Sequence, residues 1–294
     1  MDFGAESSFH KSVERVKEHY GITVPVTGVR EHTLRHGRTM VSIPSFKEAK
    51  TAEQLITQMD GSMIPVMQRG CGDDGRKGKT VFWREVKLCC ARPAGETRAL
   101  YAATLGSAET AAWVWQEIAQ AAGLKPKTRV HGIGDGAPWI LEKFTDNFGR
   151  QGSYLVDFYH VSQYLAAAAP SQTAAAKQKH WLHRQQGRLL NNQAEKVLRA
   201  LEKRLEPKQT LETPVRSAYD YIAHRKKHLD YQQARYRQLP IGSGEIESGH
   251  GHVVQDRLKL SGCWWKETNA AAMLNLRVAR ANRLWHSHWQ TANN

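Results

Sequence analysis

Between residues 50 and 160 the apolar residues change spacing repeatedly, from the two-residue alternation of a strand to the 3.6-residue period of a helix and back. LITQMDG (55–61) and SMIPVMQ (62–68) read as two strands turning tightly at Asp60–Gly61, a hairpin signal. After the glycine-rich, charged stretch RGCGDDGRKGK, the segment TVFWREVKLCCARP (80–93) reads as a third strand. SAETAAWVWQEIAQAAGL (107–124) predicts an amphipathic helix ending at Gly123. RVHGIGD (129–135) predicts a fourth strand and ILEKFTDNFG (140–149) a short helix. SYLVDFY (153–159) predicts a fifth strand running into a helix that starts near His160.

Three neighbouring strands, then helix, strand, helix and strand describe an α/β mixed sheet flanked by helices. That order matches a ribonuclease-H-like fold, although other α/β folds share parts of it. Ahead of it, residues 1–50 form a small helical region: SSFHKSVERVKEHYG with Ser7 or Ser8 as N-cap, then TGVREHTLRHG ending at Gly37. The first part of the sheet domain spans 51–160. Residues 161–238 hold no convincing strand and are rich in helix formers, with breaks near Pro170, Gly187, Pro207 and Pro214. This all-α segment is an insertion ahead of the last part of the domain, 239–294, where IGSGEIESGHGHVVQDRLKLSGCWW enters a helix and TNAAAMLNLRVARANRLW (268–285) forms another.

Charge narrows the partners. The chain carries 42 Lys and Arg against 28 Asp and Glu, a net charge of +14. Residues 161–240 alone hold 15 basic against 6 acidic residues, a net of +9. Such an excess fits a polyanion, because each phosphate neutralised releases counterions. A solvated basic face is the plainer alternative. No run of eighteen apolar residues crosses a membrane, and the N-terminus lacks the pattern of a secretory signal. Cys71, Cys89, Cys90 and Cys263 form no C-x-x-C pair, which points to a reduced, cytoplasmic protein without a zinc site.

Three acidic positions stand where chain elements end or begin: Asp60 in QMDG, Asp135 in GIGDG, and Glu245 with Glu247 in SGEIES. Asp135 can bind a metal, cap the following helix, or do both, and its flanking glycines would let a phosphate backbone approach. In a ribonuclease-H-like sheet the first and fourth strands are adjacent, so Asp60 and Asp135 would lie side by side. Paired carboxylates repel unless a cation sits between them. Mg²⁺ suits such a site, and a third carboxylate allows two ions about 3.5–4 Å apart. Glu245 and Glu247, two residues apart, face different ways on a helix, so only one is expected to reach the metal.

The phrases QMDGSMIPV, VHGIGDGAPWI, LVDFYHVSQYL and PIGSGEIESGHGHVVQDRLKLSGCWW, in this order, resemble those of DDE insertion-sequence transposases, and among them the bacterial Kra-type group related to Mutator-like enzymes. The resemblance spans roughly residues 5–285. It implies a DDE transposase that cleaves DNA strands and transfers them during transposition. Asp60, Asp135 and Glu247 would be the catalytic and metal-binding residues, with Mg²⁺ as cofactor and Mn²⁺ able to substitute. The separations, 75 residues from Asp60 to Asp135 and 112 from Asp135 to Glu247, leave room for a helical insertion before the last catalytic helix. The implied partner is double-stranded DNA, both terminal inverted repeats and target, on a homodimer or larger assembly. Such transposases usually begin with a longer end-recognition region, so a shortened N-terminus is expected here.

The D-x-x-H of Asp157 and His160 reads either as a supporting pair near DNA or metal, or as a cap on the next helix by Asp157. Arg225, Lys226 and Lys227, together with Arg257 and Lys259, are candidate DNA contacts. Trp264 and Trp265 could stack on unpaired bases, and a core role for at least one is equally open. His250 and His252, close to Glu247, could meet phosphate or water; His286 and His288 read as surface residues. Two other functions fit parts of the sequence. A truncated or domesticated transposase would only bind DNA. A haloacid-dehalogenase-like phosphatase would need an acid at Gln58 and another soon after GDG, where Ala137, Pro138 and Trp139 stand.

Overall fold

The computed structural model describes residues 1–45, 47, 49–68, 78–207 and 209–292. Cys71 and most of the charged stretch before the third expected strand lie outside the described residues. The chain divides into two compact units, Met1–Thr128 with Gly244–Asn294, and Arg129–Ser243.

The first unit is built on three antiparallel strands, β1 (Gln54–Gln68), β2 (Thr80–Pro93) and β3 (Leu100–Thr104), with β2 in the middle. The hairpin expected at Asp60–Gly61 is absent: β1 is one strand of 15 residues, paired with β2 in unbroken register from Leu55↔Pro93 to Gln68↔Thr80. Gly61 has no positive φ, so it makes no turn. Its missing side chain leaves room for the Glu85 carboxylate, which a Cβ would overlap. The third strand of the unit is instead β3, a five-residue segment too short for its alternation to stand out.

Because side chains alternate along a strand, β1 presents two different faces. On one, Thr57 accepts a hydrogen bond from Trp115 Nε1 at 2.6 Å and donates to Cys90 O at 2.7 Å. Trp115 lies on α4 (Ala108–Ala121), whose N-cap Ser107 accepts from Thr110 N at the start of the expected amphipathic helix. The other face carries Gln58, Asp60, Ser62, Ile64 and Val66. Ile64 and Val66 join a core cluster with Met273, Leu276 and Val278 of α13 (Glu267–Ala281).

The N-terminal region covers this core through α1 (Asp2–Glu6), α2 (Phe9–Tyr20) and α3 (Val26–Thr39). Ser8 caps α2, accepting from Lys11 N, and Gly21 closes it in the left-handed conformation at φ 68°. α3 does not stop at Gly37. It runs on to Thr39, because Gly37 is where α3 crosses α13 backbone to backbone. A Cβ there would overlap the Ala272 carbonyl, and Asn275 Nδ2 donates to Gly37 O at 2.9 Å. Gly37→Ala therefore forces two helices apart, and a loss of about 1–3 kcal/mol is expected as a lower urea midpoint with an unchanged slope.

The second unit holds a parallel pair, β4 (Arg129–Gly134) and β5 (Gly152–Val156), connected through α5 (Pro138–Phe148). Gly132 in β4 leaves the space that Phe144 of α5 fills. Helices follow: α6 (Phe158–Gln172), α7 (Gln178–Leu190), α8 (Ala194–Glu202), α9 (Pro214–Arg225) and α10 (Tyr231–Tyr236). Helix breaks are expected near Pro170 and Gly187: α6 does end at Gln172, two residues past Pro170, whereas α7 runs through Gly187 to Leu190. Pro170 sits in the last turn of α6, where the lost N–H costs one bond at a fraying end. Pro214 takes the first position of α9, where its missing N–H is harmless. The mixed strand directions and flanking helices agree with the α/β class read from the sequence. Among the described residues no helix is long and apolar enough to cross a membrane.

Candidate active site

In the first unit the polar face of β1 meets the segment that carries Glu247. That segment is α11 (Gly244–Gly249), followed by a π-helical turn at His250–Gln255 and α12 (Asp256–Leu258). Buried Gln58 Oε1 accepts from Ile246 N at 2.9 Å, satisfying a free donor of the first turn of α11. Two residues along the same face, Asp60 Oδ2 lies 3.3 Å from His250 Nε2. His250 is 4% exposed, and neither of its ring nitrogens makes a well-aligned hydrogen bond, so the two side chains are in close contact without a hydrogen bond. Asp60 is 40% exposed by its side chain and opens to solvent.

Glu247 precedes His250 by three residues, hence shares its helical face. It is exposed and has no hydrogen bond or ion pair among the described residues. Glu245 points elsewhere and forms an ion pair with Arg92 of β2, the two side chains 28% and 13% exposed. The widened π turn starts directly after α11, and such turns often accompany functional positions. Ser62, on the same face of β1, accepts from Lys259 Nζ at 2.7 Å, so Lys259 stands exposed beside this surface.

Other expected residues of this unit are used differently. Arg257 is 1% exposed: its Nε donates to Gly4 O at 3.1 Å, and its guanidinium lies 4.6 Å from the Phe9 ring and 4.9 Å from the Trp265 ring. Burial lowers its pKa, and it is a core cation rather than a DNA contact. Trp265 is likewise buried, its backbone paired with β1 through Met67 N to Trp265 O at 2.8 Å. Trp264 is exposed and remains free to meet a ligand. His252 packs edge-on against Tyr101 and bonds Ser248 O. His288 is not a bare surface residue, since it stands 3.1 Å from His36 Nδ1. Burial pushes the thiols of Cys89 and Cys90 up, which leaves both protonated and inert.

In the second unit Asp135 follows the last residue of β4, as the sequence indicated. Its Oδ1 accepts from Ala137 N at 2.8 Å, which shapes the turn into α5, and its other oxygen has no partner among the described residues. Gly136 has φ 70°, a conformation favouring glycine. The space beside it is not open to a phosphate: a Cβ on Gly136 would lie 2.8 Å from Arg225 Nε, which donates to Gly136 O at 3.0 Å. Arg225 also stacks 4.0 Å over Tyr221, whose hydroxyl donates to Asp135 O. Burial pushes the Tyr221 hydroxyl up, so it stays a donor. Arg225 thus holds the Asp135 loop, a role no short motif signals. Of its neighbours, Lys226 pairs with Glu195, while Lys227 is exposed and unpaired among the described residues.

Asp157 is 2% exposed and fully engaged. Oδ1 caps α6 by accepting from Tyr159 N at 2.5 Å and His160 N at 3.0 Å, and Oδ2 accepts from Ser243 N at 2.6 Å and from Ser243 Oγ. His160 lies partly exposed, its ring 6.0 Å from those of Tyr164 and Tyr221.

An α/β chain whose partly exposed strand carboxylate, Asp60, meets the helical segment carrying an exposed Glu247 is the class that fold and geometry define. Residues 107–290 match the model of an uncharacterised protein family, UPF0236, and the chain belongs to that family. No curated protein matches it significantly. Among solved structures, the Drosophila P element transposase strand transfer complex is similar at a TM-score of 0.36 and 8% sequence identity, covering 97% of this chain and 78% of that one.

Proposed function

We propose that this chain is a DDE transposase that cuts DNA strands and joins their ends to new DNA, with Asp60, Asp135 and Glu247 as its catalytic, metal-binding carboxylates. The observation that carries the reading is the seating of α11 on β1. Gln58 bonds Ile246 N and Asp60 approaches His250, so the segment that carries Glu247 docks on the strand that carries Asp60, while Glu245 is turned to Arg92. The four phrases that resemble Kra-type transposases add Asp135, whose one free oxygen follows β4.

All three side chains offer carboxylate oxygens, the donors a hard cation such as Mg²⁺ takes, with Mn²⁺ as a substitute. Among the described residues no group of three or more His, Cys, Asp or Glu is gathered into a metal cage. Mg²⁺ commonly binds through one or two carboxylates plus substrate phosphates, so a cage is not required. When bound, the ion would activate the attacking water or 3′-hydroxyl and stabilise the leaving oxygen. The chain's own part is to dock the segment carrying Glu247 on the strand carrying Asp60, to fix the Asp135 loop through Tyr221 and Arg225, and to attract the polyanion with its excess of basic residues. The partners of this reading are the element's terminal inverted repeats and a target duplex. Bringing two ends together calls for a homodimer or larger assembly.

The test is a nicking and strand-transfer assay on labelled DNA carrying the element's ends, in Mg²⁺, Mn²⁺ or EDTA. Products in either metal and none in EDTA are expected. Tight binding without products in any condition would overturn the enzymatic reading and leave a protein that only binds DNA.

A further inference from the structure

A second feature lies among α6, α7 and α8 of the second unit, where a cavity of about 370 Å³ is lined by Lys177, His180, Arg184, Arg188, Lys203 and Arg204 with no carboxylate on its wall. Crowded like charges are unfavourable without a counter-ion. Lys177, His180, Arg184 and Lys203 have no ion pair among the described residues. Two of the arginines are held in place: Arg188 Nη1 donates to Gln185 Oε1 at 3.0 Å and to Lys196 O at 3.3 Å, and Arg204 Nη1 donates to Ser171 O at 3.5 Å.

The wall also contains Gln172, 8% exposed, whose Nε2 is buried with no hydrogen-bond partner. That atom has no surface open to the cavity, so it takes no part in binding there. An oxyanion in the cavity would neutralise the surrounding cations together, as charge-assisted hydrogen bonds do. The volume suits a phosphate or two with their waters.

We propose that this cavity is a phosphate-binding site. Its ligand chemistry is the phosphate oxyanion, supplied either by a nucleic-acid backbone or by free phosphate. The proposal stands apart from the carboxylate reading, because it concerns binding in the helical part of the chain and needs no cleavage.

The experiment uses the full chain. Affinity for a 20-base-pair duplex is measured across a salt series, and binding of inorganic pyrophosphate is measured by calorimetry. Lys177→Gln with Arg184→Gln is compared with Lys11→Gln and Lys17→Gln on α2, which remove the same charge elsewhere. If backbone phosphates are the ligand, the cavity pair weakens duplex binding about tenfold more than the control pair and makes its salt slope about 2 units shallower. If free phosphate is the ligand, the cavity variants lose pyrophosphate binding while duplex affinity follows the control. Cavity variants that match the control in both measurements overturn the proposal.

Discussion

Asp60→Asn, Asp135→Asn and Glu247→Gln should each abolish metal-dependent strand cleavage, by about a thousandfold or more, since even one transition-state charge contact is worth 10²–10³. Duplex binding should stay nearly unchanged, because binding rests on the basic surface. The amides keep the shape of the acids. In Asp135→Asn the side-chain carbonyl would still accept from Ala137 N, so the turn into α5 survives and only the charge is lost. Glu245→Gln is the internal control. It breaks the ion pair to Arg92, which costs about 1–3 kcal/mol of stability for a charged hydrogen bond, and leaves the cleaving surface intact. Nicking rates and thermal midpoints on the same four proteins separate the two kinds of effect. A dead Glu245→Gln with an active Glu247→Gln would move the third ligand to Glu245.

Local chemistry was legible where one residue decides the outcome. Ser8 caps α2 because a hydroxyl before an apolar-periodic run finds the free N–H groups. Asp135 falls directly after β4 because the apolar run ends there. What misled were residues with two uses. Asp60–Gly61 has the composition of a turn, yet the glycine makes room for Glu85 within a continuous strand, a fact that belongs to β2. Gly37 looks like a helix stop and is a helix crossing. Arg257 looks like a DNA contact by charge, but Phe9, Trp265 and Gly4 enclose it, and Phe9 and Gly4 lie far away in sequence. At the candidate site the acids could be picked out as acids. The Gln58 bond to α11, the turning away of Glu245 and the clamp of Arg225 on the Asp135 loop are tertiary and leave no local pattern.

Asp157→Ala should unfold the second unit at far lower denaturant, by roughly 3–7 kcal/mol, without altering metal affinity. The aspartate offers four acceptor positions, and four donors occupy them: Tyr159 N and His160 N at the start of α6, and Ser243 N and Oγ. Loss of the cap alone costs about 1 kcal/mol. The rest follows because Ser243 is 7% exposed, so its N–H and hydroxyl lose their acceptor out of reach of bulk water, at about 1–3 kcal/mol for each stranded group. Asp157→Asn should fall between. Its carbonyl can keep the helix cap, but its NH₂ would face the Ser243 N–H, donor against donor. Urea unfolding orders the three proteins, and calorimetric titration with Mn²⁺ reads the metal. A carboxylate already saturated by four donors has nothing left for an ion, so metal affinity should follow Asp135 and not Asp157. Equal stability of Asp157→Ala and the parent, with metal binding lost, would reverse that assignment and make Asp157 the ligand.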